Sequence, residues 1–214
     1  MITKQNRNGE KYMERNSQDS QGYKLESQIR EAFGKVTYTF TSHEKCISRL
    51  IRTNNRIKTL QIVLSALTTG SFLGTIISNE KLCGIIGAFL SLCLLVLNAY
   101  VKNFNLVETA QKHQKAADLL WKIREEYISL LTDFEILEPQ EIMLKRDELQ
   151  NRTAEVYSNS PRTDLKSYKE TQNALKIEEE QTFSEQEIDI LLPNSIRRSN
   201  KNEKQIHVNN NGFY

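Results

Sequence analysis

The chain has 214 residues, of which 26% are charged and 38% hydrophobic, and its formal net charge is +2. This near balance of charge gives no support for direct nucleic-acid binding, and the 3 Pro and 8 Gly are too few for a sheet-rich fold with many turns. The mean hydropathy of -0.55 hides an uneven distribution of apolar residues along the chain.

The first part of the chain is polar. Residues 1–24 are rich in Asn, Gln, Ser and Lys without periodicity, which predicts a disordered tail. The apolar spacing of residues 25–33 indicates a short amphipathic helix that ends at Gly34, and the alternation over residues 36–40 suggests a short extended piece. A capping-box pattern at residues 41–44 then predicts a helix that continues into the apolar region.

Two uncharged apolar runs follow, residues 59–79 and 82–101, and they are separated by Glu80 and Lys81. A helix of about 20 residues spans the hydrocarbon core of a bilayer. The runs therefore predict a transmembrane helical hairpin over residues 59–101. The alternative is a buried helical hairpin inside a soluble α-domain.

The flanks of the hairpin set its orientation. Basic residues precede the first span and follow the second, whereas the turn carries only Lys81. The positive-inside rule predicts a multi-pass protein of the inner (plasma) membrane with both termini in the cytoplasm. The flanking basic residues are Lys45, Arg49, Arg52, Arg56, Lys58, Lys102, Lys112, Lys115 and Lys122.

Polar side chains and glycines fall on different faces of the first span. Six residues lie within about 40° of one line along the helix, and five of them are polar. The candidate pore-lining residues are Gln61, Ser65, Thr68, Thr75 and Asn79. The candidate helix-packing residues, on the opposite face and in the second span, are Gly70, Gly74, Gly84 and Gly87.

This pattern has two interpretations. In the first, the glycines pack the hairpin and several copies of the chain place the polar stripe around a water-filled path. In the second, the Ser and Thr hydroxyls bond to their own backbone and the stripe is only a helix contact. No charged residue lies deep in either span, which argues against a proton relay or a coupled transporter.

No helix-ending pattern follows the second span. Apolar spacing predicts that its helix continues to Asp133 and pairs with the helix before the first span as an antiparallel coiled coil. An inward Arg124 would be a mismatch or a snorkelling edge residue. The predicted inward residues beyond the membrane are Ala110, Ala117, Trp121, Arg124, Ile128 and Leu131.

Shorter helices follow in the C-terminal part. Pro139 is predicted to open a helix that runs to about Tyr157. Thr163 is the expected N-cap of the next helix, whose inward side is expected to carry Leu165, Tyr168, Gln172 and Leu175. Ser184 and Glu187 form a capping-box pattern for a last helix that ends before Pro193.

Together these elements predict an all-α fold, a two-transmembrane helical hairpin with long helices extending into a cytosolic helical body. The expected organisation is a disordered tail at 1–24, a cytosolic helical segment at 25–58, the hairpin at 59–101, a cytosolic helical region at 102–193 and a disordered tail at 194–214.

No pattern in the chain indicates catalysis. The P-loop, dinucleotide-binding, nucleophile-elbow and zinc-protease motifs do not occur, and no Cys or His spacing fits a zinc site. His43, His113 and His207 are far apart in different elements, so each is expected to be a satisfied or exposed side chain. We therefore expect no enzyme, no cofactor and no metal.

Four stretches carry a resemblance to a known family: "AQKHQKAADLLWKIREEYISLLTDF" (110–134), "RDELQ" (146–150), "SNSPRTDLKSYKETQNALK" (158–176) and "TFSEQEIDILLP" (182–193). They resemble the SLATT family, and its fifth subgroup most. These are two-transmembrane proteins associated with SMODS nucleotidyltransferases and SLOG nucleotide-sensing domains. The likeness spans about residues 25–197.

The resemblance implies a membrane effector of a bacterial antiphage system. Such an effector is expected to assemble as a homo-oligomer in the lipid bilayer, form a pore and cause abortive infection by cell death or growth arrest. Its implied trigger is a nucleotide second messenger, or a sensor or reverse-transcriptase partner. The alternative is a membrane-anchored helical scaffold that recruits a cytosolic partner without conducting.

Overall fold

A computed structural model of the chain describes the backbone of residues 2–78, 81–194 and 196–198, and the side chains of these residues except 2–19 and 78. Within these ranges the only regular secondary structure is the α-helix, which confirms the predicted fold class. The helices are α1 (Ile2–Ser78), α2 (Lys81–Asn103), α3 (Leu106–Thr132), α4 (Pro139–Asn159), α5 (Leu165–Lys176) and α6 (Glu185–Leu191).

The helix α1 is longer at its N-terminal end than the sequence suggested. Its backbone is helical from Ile2, where a disordered tail was expected over residues 1–24. It also passes through Gly34 without ending there, and the extended piece expected at 36–40 is helical. Ile29 and Val36 lie seven residues apart, about two helical turns, and both are buried in the core, which accounts for the continuous helix through Gly34.

The expected capping box at residues 41–44 is not a helix start. Thr41 lies inside α1, and its hydroxyl donates to the carbonyl of Thr37 at 3.0 Å. A Ser or Thr hydroxyl in a helix interior commonly bonds back to the carbonyl four residues earlier. The local pattern was therefore outweighed by the packing of this part of α1, where Thr41, Ser42 and His43 are all buried.

The core of the first compact unit, residues 1–171, lies where α1, α3 and α4 meet. The largest fully buried side chains there include Tyr127, Leu120 and Ile123 of α3. The predicted start of α4 at Pro139 is confirmed, and its buried residues recur every seven positions. They are Ile142, Leu149 and Val156.

The helix predicted to run from the second span to Asp133 is interrupted at Phe104 and Asn105. Asn105 caps α3, because its side-chain oxygen accepts from the backbone N–H of Glu108 at 3.1 Å. Its amide group also donates to the Glu108 carboxylate at 3.0 Å. An Asn followed three residues later by Glu is a helix-start pattern, and here it lies just beyond the second apolar run.

The inward face of α3 differs from the predicted one by one residue over part of its length. Ala110 and Ala117 are buried as expected, whereas Trp121 is 49% and Ile128 37% exposed. The buried positions are Ala110, His113, Ala116, Ala117, Leu120, Ile123, Tyr127 and Leu130. Arg124 lies at the edge of this face, with its guanidinium 5.8 Å from the centre of the Phe33 ring.

The apolar hairpin, which we define as residues 59–78 and 81–101, has apolar side chains on its outside. Two helical stretches are long and apolar enough to cross a membrane, and within the described residues of the hairpin only Gly87 is buried. Ile62, Phe72, Ile85 and Phe89 are each 64–70% exposed. A soluble core would cover such side chains, so the structure favours lipid as their surroundings.

The remaining helices begin with side-chain caps. Asp164, rather than the predicted Thr163, accepts from the backbone N–H of Ser167 at 2.8 Å. On α5 the buried residues are Ser167, Thr171 and Ala174, not the predicted larger side chains, and Leu165 is 70% exposed. A small polar face of this kind allows close approach of helix backbones.

The second compact unit, residues 172–214, contains the last helix. The capping box predicted at Ser184 and Glu187 is present in α6, with both of its hydrogen bonds. At the other end Arg197 donates to the carbonyls of Ile190 and Leu192, each at 2.9 Å. The tail predicted at 194–214 lies almost entirely outside the described residues.

Candidate functional site

The two halves of the apolar hairpin pack through glycines of α2. A Cβ added at Gly87 would lie 3.2 Å from the Cβ of Ser71, and one added at Gly84 would lie 3.5 Å from the hydroxyl oxygen of Thr75. Each pair of facing residues has numbers that add to 158 or 159. The glycines therefore fix an antiparallel register by close approach of the two helices.

The other two predicted packing residues differ from each other. A Cβ at Gly74 would lie 3.6 Å from the sulfur of Cys83, so Gly74 is part of the same contact. Nothing lies within 4 Å of a Cβ placed at Gly70. The structure thus brings Gly74, Gly84 and Gly87 together in the hairpin contact and leaves Gly70 on the outside.

The predicted pore-lining residues also separate into groups. Thr68 and Thr75 are half-buried, and their hydroxyls donate to the carbonyls four residues earlier at 2.8 and 2.9 Å. Gln61 donates its side-chain amide to the Asn98 side-chain oxygen across the hairpin at 2.8 Å. Ser65 is exposed, and Asn79 lies outside the described residues.

A polar groove runs along one side of the hairpin. It has a volume of about 680 Å³ and opens to the outside of the chain. Its polar residues come from one face of α1 and from the facing part of α2, and they lie next to apolar Ile62, Ala66 and Leu94. The polar lining of this groove consists of Lys58, Gln61, Ser65, Thr69 and Asn98.

A second polar feature lies beyond the hairpin, where α1 passes α3. His43 and His113 are 3% and 4% exposed, and their Nδ1 atoms are 2.8 Å apart. One ring must therefore donate its N–H to the unprotonated nitrogen of the other. Burial, and then the charge of the neighbouring His113, lower the pKa of His43 from 6.5 to about 4, and burial also lowers the pKa of His113.

The same stretch of α1 contacts the start of α5 through small polar side chains. Ser42 Oγ lies 3.0 Å from Thr171 Oγ1, and Cys46 Sγ lies 2.9 Å from Ser167 Oγ. All four of these side chains are at most 3% exposed. We name this set, together with the histidine pair, the buried polar cluster.

Arg49 ties the buried polar cluster to charged groups of the α5 region. Its guanidinium forms ion pairs with Asp164 and, at 3.4 Å, with Glu170, and it donates to Ser167 Oγ at 2.8 Å. Burial alone would raise the pKa of Asp164, but the backbone N–H of Ser167 and the Arg49 guanidinium together hold it below its ordinary value. The start of α5 is thus held on α1 mainly by polar contacts.

The buried polar cluster gives no sign of a metal centre or of acid–base chemistry on a substrate. No group of three or more His, Cys, Asp or Glu side chains among the described residues is arranged to hold a metal ion. The contacts described above pair the buried hydroxyls, the Cys46 thiol and the two histidine Nδ1 atoms with one another. Such an arrangement specifies how helices fit together.

The proximity of His43 and His113 was not predicted, because the two were treated separately. A signal was available, since in an antiparallel hairpin the numbers of facing residues have a nearly constant sum. The contacts within the hairpin give sums of 157–159, and the histidines give 156. Extending an antiparallel pairing from the turn at Glu80 and Lys81 along the flanking helices would have placed the two histidines near each other.

The comparisons with known proteins identify the family. The chain matches the model of the SMODS and SLOG-associating 2TM effector domain family 4 over residues 25–187, which is 163 of its 214 residues. This model differs from the fifth subgroup named on the sequence motifs, and the two agree at the level of the whole family. No curated protein and no solved structure matches the chain. The chain therefore belongs to the SLATT family of two-transmembrane effector domains and is a membrane protein.

Proposed function

We propose that the chain is the membrane effector of a bacterial antiphage system, and that several copies assemble so that their polar grooves enclose a water-filled path. Opening of this path would dissipate ion gradients and kill or arrest the infected cell. The observation that carries the proposal is the exposed polar groove in an otherwise apolar hairpin.

The physical argument concerns what surrounds the groove. A polar group that faces hydrocarbon without a hydrogen-bond partner costs several kcal/mol. Gln61 and Asn98 are paired with each other, and the Thr69 hydroxyl donates to the carbonyl of Ser65 at 3.0 Å, but the Ser65 and Thr69 side chains are exposed at membrane depth. Water or a second copy of the chain removes this cost, and an oligomer with the grooves turned inward supplies both.

The structure of α1 supports coupling between a cytosolic trigger and the path. One uninterrupted helix carries Ser42, His43 and Cys46 of the buried polar cluster and the groove residues between 58 and 69. A rotation or tilt of its cytosolic part therefore changes the position of its groove face without any break between them. A nucleotide signal or a sensor protein that binds the cytosolic helices would act through this connection.

The expected topology supports this arrangement. The hairpin returns the chain to the side from which it entered, and the basic residues before and after it favour the cytoplasm for both ends. The helical body would then face the compartment in which a nucleotide messenger or a sensor partner is produced. We propose no reverse-transcriptase partner, because that expectation rested on the fifth subgroup.

A specific observation favours the second candidate, a scaffold that does not conduct. Thr68 and Thr75 of the predicted stripe face the second span and bond to their own helix, which leaves them little contact with water. Thr69 of the groove bonds to its own helix in the same way. If the remaining groove residues also find partners within the protein in an oligomer, the hairpin only anchors the body. The two candidates differ in whether ions cross the membrane.

The experiment compares two pairs of hydroxyl removals by leakage of a dye or of potassium from liposomes containing the purified chain, with its trigger or at forced high density. The groove variant is Ser65→Ala/Thr69→Val, and the matched control is Thr68→Val/Thr75→Val. Each hydroxyl removed from a wet path costs roughly 1–2 kcal/mol, so the groove variant is expected to slow leakage about tenfold or more. The control is expected to leak like the unaltered chain.

Three outcomes are informative. Slower leakage of the groove variant alone supports the path proposed here, whereas slower leakage of the control alone places the path at the predicted stripe. No leakage from the unaltered chain at any density, together with intact membrane potential in cells that also express the neighbouring genes, contradicts conduction and supports the scaffold.

A further inference from the structure

Unpaired positive charge surrounds the cytosolic end of the apolar hairpin. We define the basic collar as Arg52, Arg56, Lys58 and Lys102, all of which have exposed side chains. Within the part of the chain that the structure describes, none of the four forms an ion pair. Elsewhere in the same structure exposed basic residues do find acidic partners, for example Lys112 with Glu108 at 2.8 Å.

The register of the hairpin places two of these cations opposite each other. Gln61 and Asn98 face each other across the hairpin through their hydrogen bond. Lys58 lies three residues before Gln61 and Lys102 four residues after Asn98, so both are about one helical turn, or roughly 5 Å, to the same side of that pair. Their ammonium groups thus occupy one level of the molecule.

Acidic residues are absent from this level of the chain. The sequence has no Asp or Glu between Glu44 and Glu80, and none between Glu80 and Glu108. Arg52 and Arg56 add two further charges four residues apart on one helix face, a spacing at which like charges repel. The collar therefore concentrates positive charge that the protein itself does not neutralise.

We propose that the basic collar binds the phosphate headgroups of anionic phospholipids of the inner leaflet. The apolar hairpin starts at the collar, so the four cations lie at the depth of the headgroups once the hairpin is in a bilayer. Clusters of Lys and Arg just outside a transmembrane helix attract anionic lipids in this way. The phosphate of one lipid fits between Lys58 and Lys102, and Arg52 and Arg56 contact further headgroups along α1.

This inference needs the hairpin to lie in a membrane, but it does not need a pore. If liposomes containing the chain do not leak, the collar can still bind anionic lipid. If they leak but the chain shows no lipid selectivity, the proposed binding is absent. The two proposals therefore fail separately, one in a leakage assay and the other in a binding assay.

The test uses the full chain in neutral dodecyl maltoside micelles, titrated with dioleoyl phosphatidylglycerol or with dioleoyl phosphatidylcholine. Bound lipid is counted by native mass spectrometry, and the melting temperature is followed by circular dichroism. Each basic residue near an anionic surface strengthens association about fivefold, so Lys58→Gln/Lys102→Gln is expected to weaken phosphatidylglycerol binding about 25-fold. The matched control Lys112→Gln/Lys145→Gln removes two cations that each pair with a glutamate, and it is expected to change binding less than about twofold.

Selective binding of phosphatidylglycerol that is lost in the collar variant, but not in the control, supports the proposal. Equal binding of both lipids, or equal losses in both variants, overturns it. A soluble arm with glycerol phosphate separates the sources, because an equal rise in melting temperature there would assign the collar to free phosphates instead. If Lys58→Gln/Lys102→Gln loses helicity, Arg52→Gln/Arg56→Gln gives the same test at positions farther from the hairpin, with an expected loss of the same size.

Discussion

The buried histidine pair predicts that the helices outside the hairpin lose stability in mild acid. In the unfolded chain a histidine binds a proton below about pH 6.5, whereas His43 in the folded protein stays neutral down to about pH 4. Between these two values the unfolded state holds more protons, so the free energy of unfolding must fall as the pH falls. His113 acts in the same direction, because burial lowers its pKa too.

The magnitude follows from the shift. A pKa that moves from 6.5 to about 4 corresponds to about 3 kcal/mol in total, of which about 2 kcal/mol is lost between pH 7 and pH 5. Glu44 partly offsets this loss. Burial, and then the nearby Asp118, raise the pKa of its carboxyl group, so the folded state binds this proton more readily and gains stability as the pH falls. The net effect is still a loss of stability in acid, because two histidines lower the free energy of unfolding and only one carboxyl group raises it.

The assay is denaturant unfolding of the full chain in detergent at pH 7, 6 and 5, followed by the fluorescence of Trp121, the only tryptophan in the chain. The His43→Gln variant removes the most shifted histidine and is expected to lose much less stability between pH 7 and pH 5 than the unaltered chain. A matched control, His207→Gln, removes a histidine of the C-terminal tail and is expected to keep the full pH dependence. The same change in unfolding free energy with pH for all three proteins, or greater stability at pH 5 than at pH 7, would refute the reasoning.

Three further substitutions test the contacts described above. Gly87→Leu is expected to separate the two halves of the hairpin and lower the melting temperature in detergent, because its Cβ starts 3.2 Å from that of Ser71, whereas Gly70→Leu has open space and is expected to change little. Arg49→Met leaves two carboxylates of the α5 region unpaired and is expected to destabilise the contact with α1 by about 1–3 kcal/mol, measured as faster hydrogen exchange over residues 164–171. Ser184→Ala removes the capping box of α6 and is expected to cost about 1 kcal/mol of local stability, measured as faster exchange over residues 185–191; no change there would contradict the role of the cap.

Features that depend on neighbouring residues were predictable from the sequence. The uncharged runs gave the hairpin, Pro139 marked the start of α4, and the Ser184 and Glu187 pair marked the start of α6. Each depends on residues within one helix or one turn. For the same reason the three glycines that pack the hairpin were among the four predicted, although their contact residues on the other helix were not.

Features that depend on distant residues were missed. The face of α3 was misassigned because adjacent apolar pairs such as Leu119 and Leu120, or Leu130 and Leu131, fit two phases of the helix equally well. Only packing against α1 decides between the phases. The buried polar cluster joins parts of the chain about 70 and 120 residues apart, and no short motif spans such distances.

The interruption between α2 and α3 makes the two legs of the molecule mechanically unequal. On one leg, α1 continues from the helical body into the hairpin without a break. On the other leg, the helix is interrupted at Phe104 and Asn105, next to Lys102 of the basic collar. A displacement of the body would therefore reach the first span through one stiff helix and the second span through an interrupted one, and substitutions at Phe104 or Asn105 test whether the two spans move together.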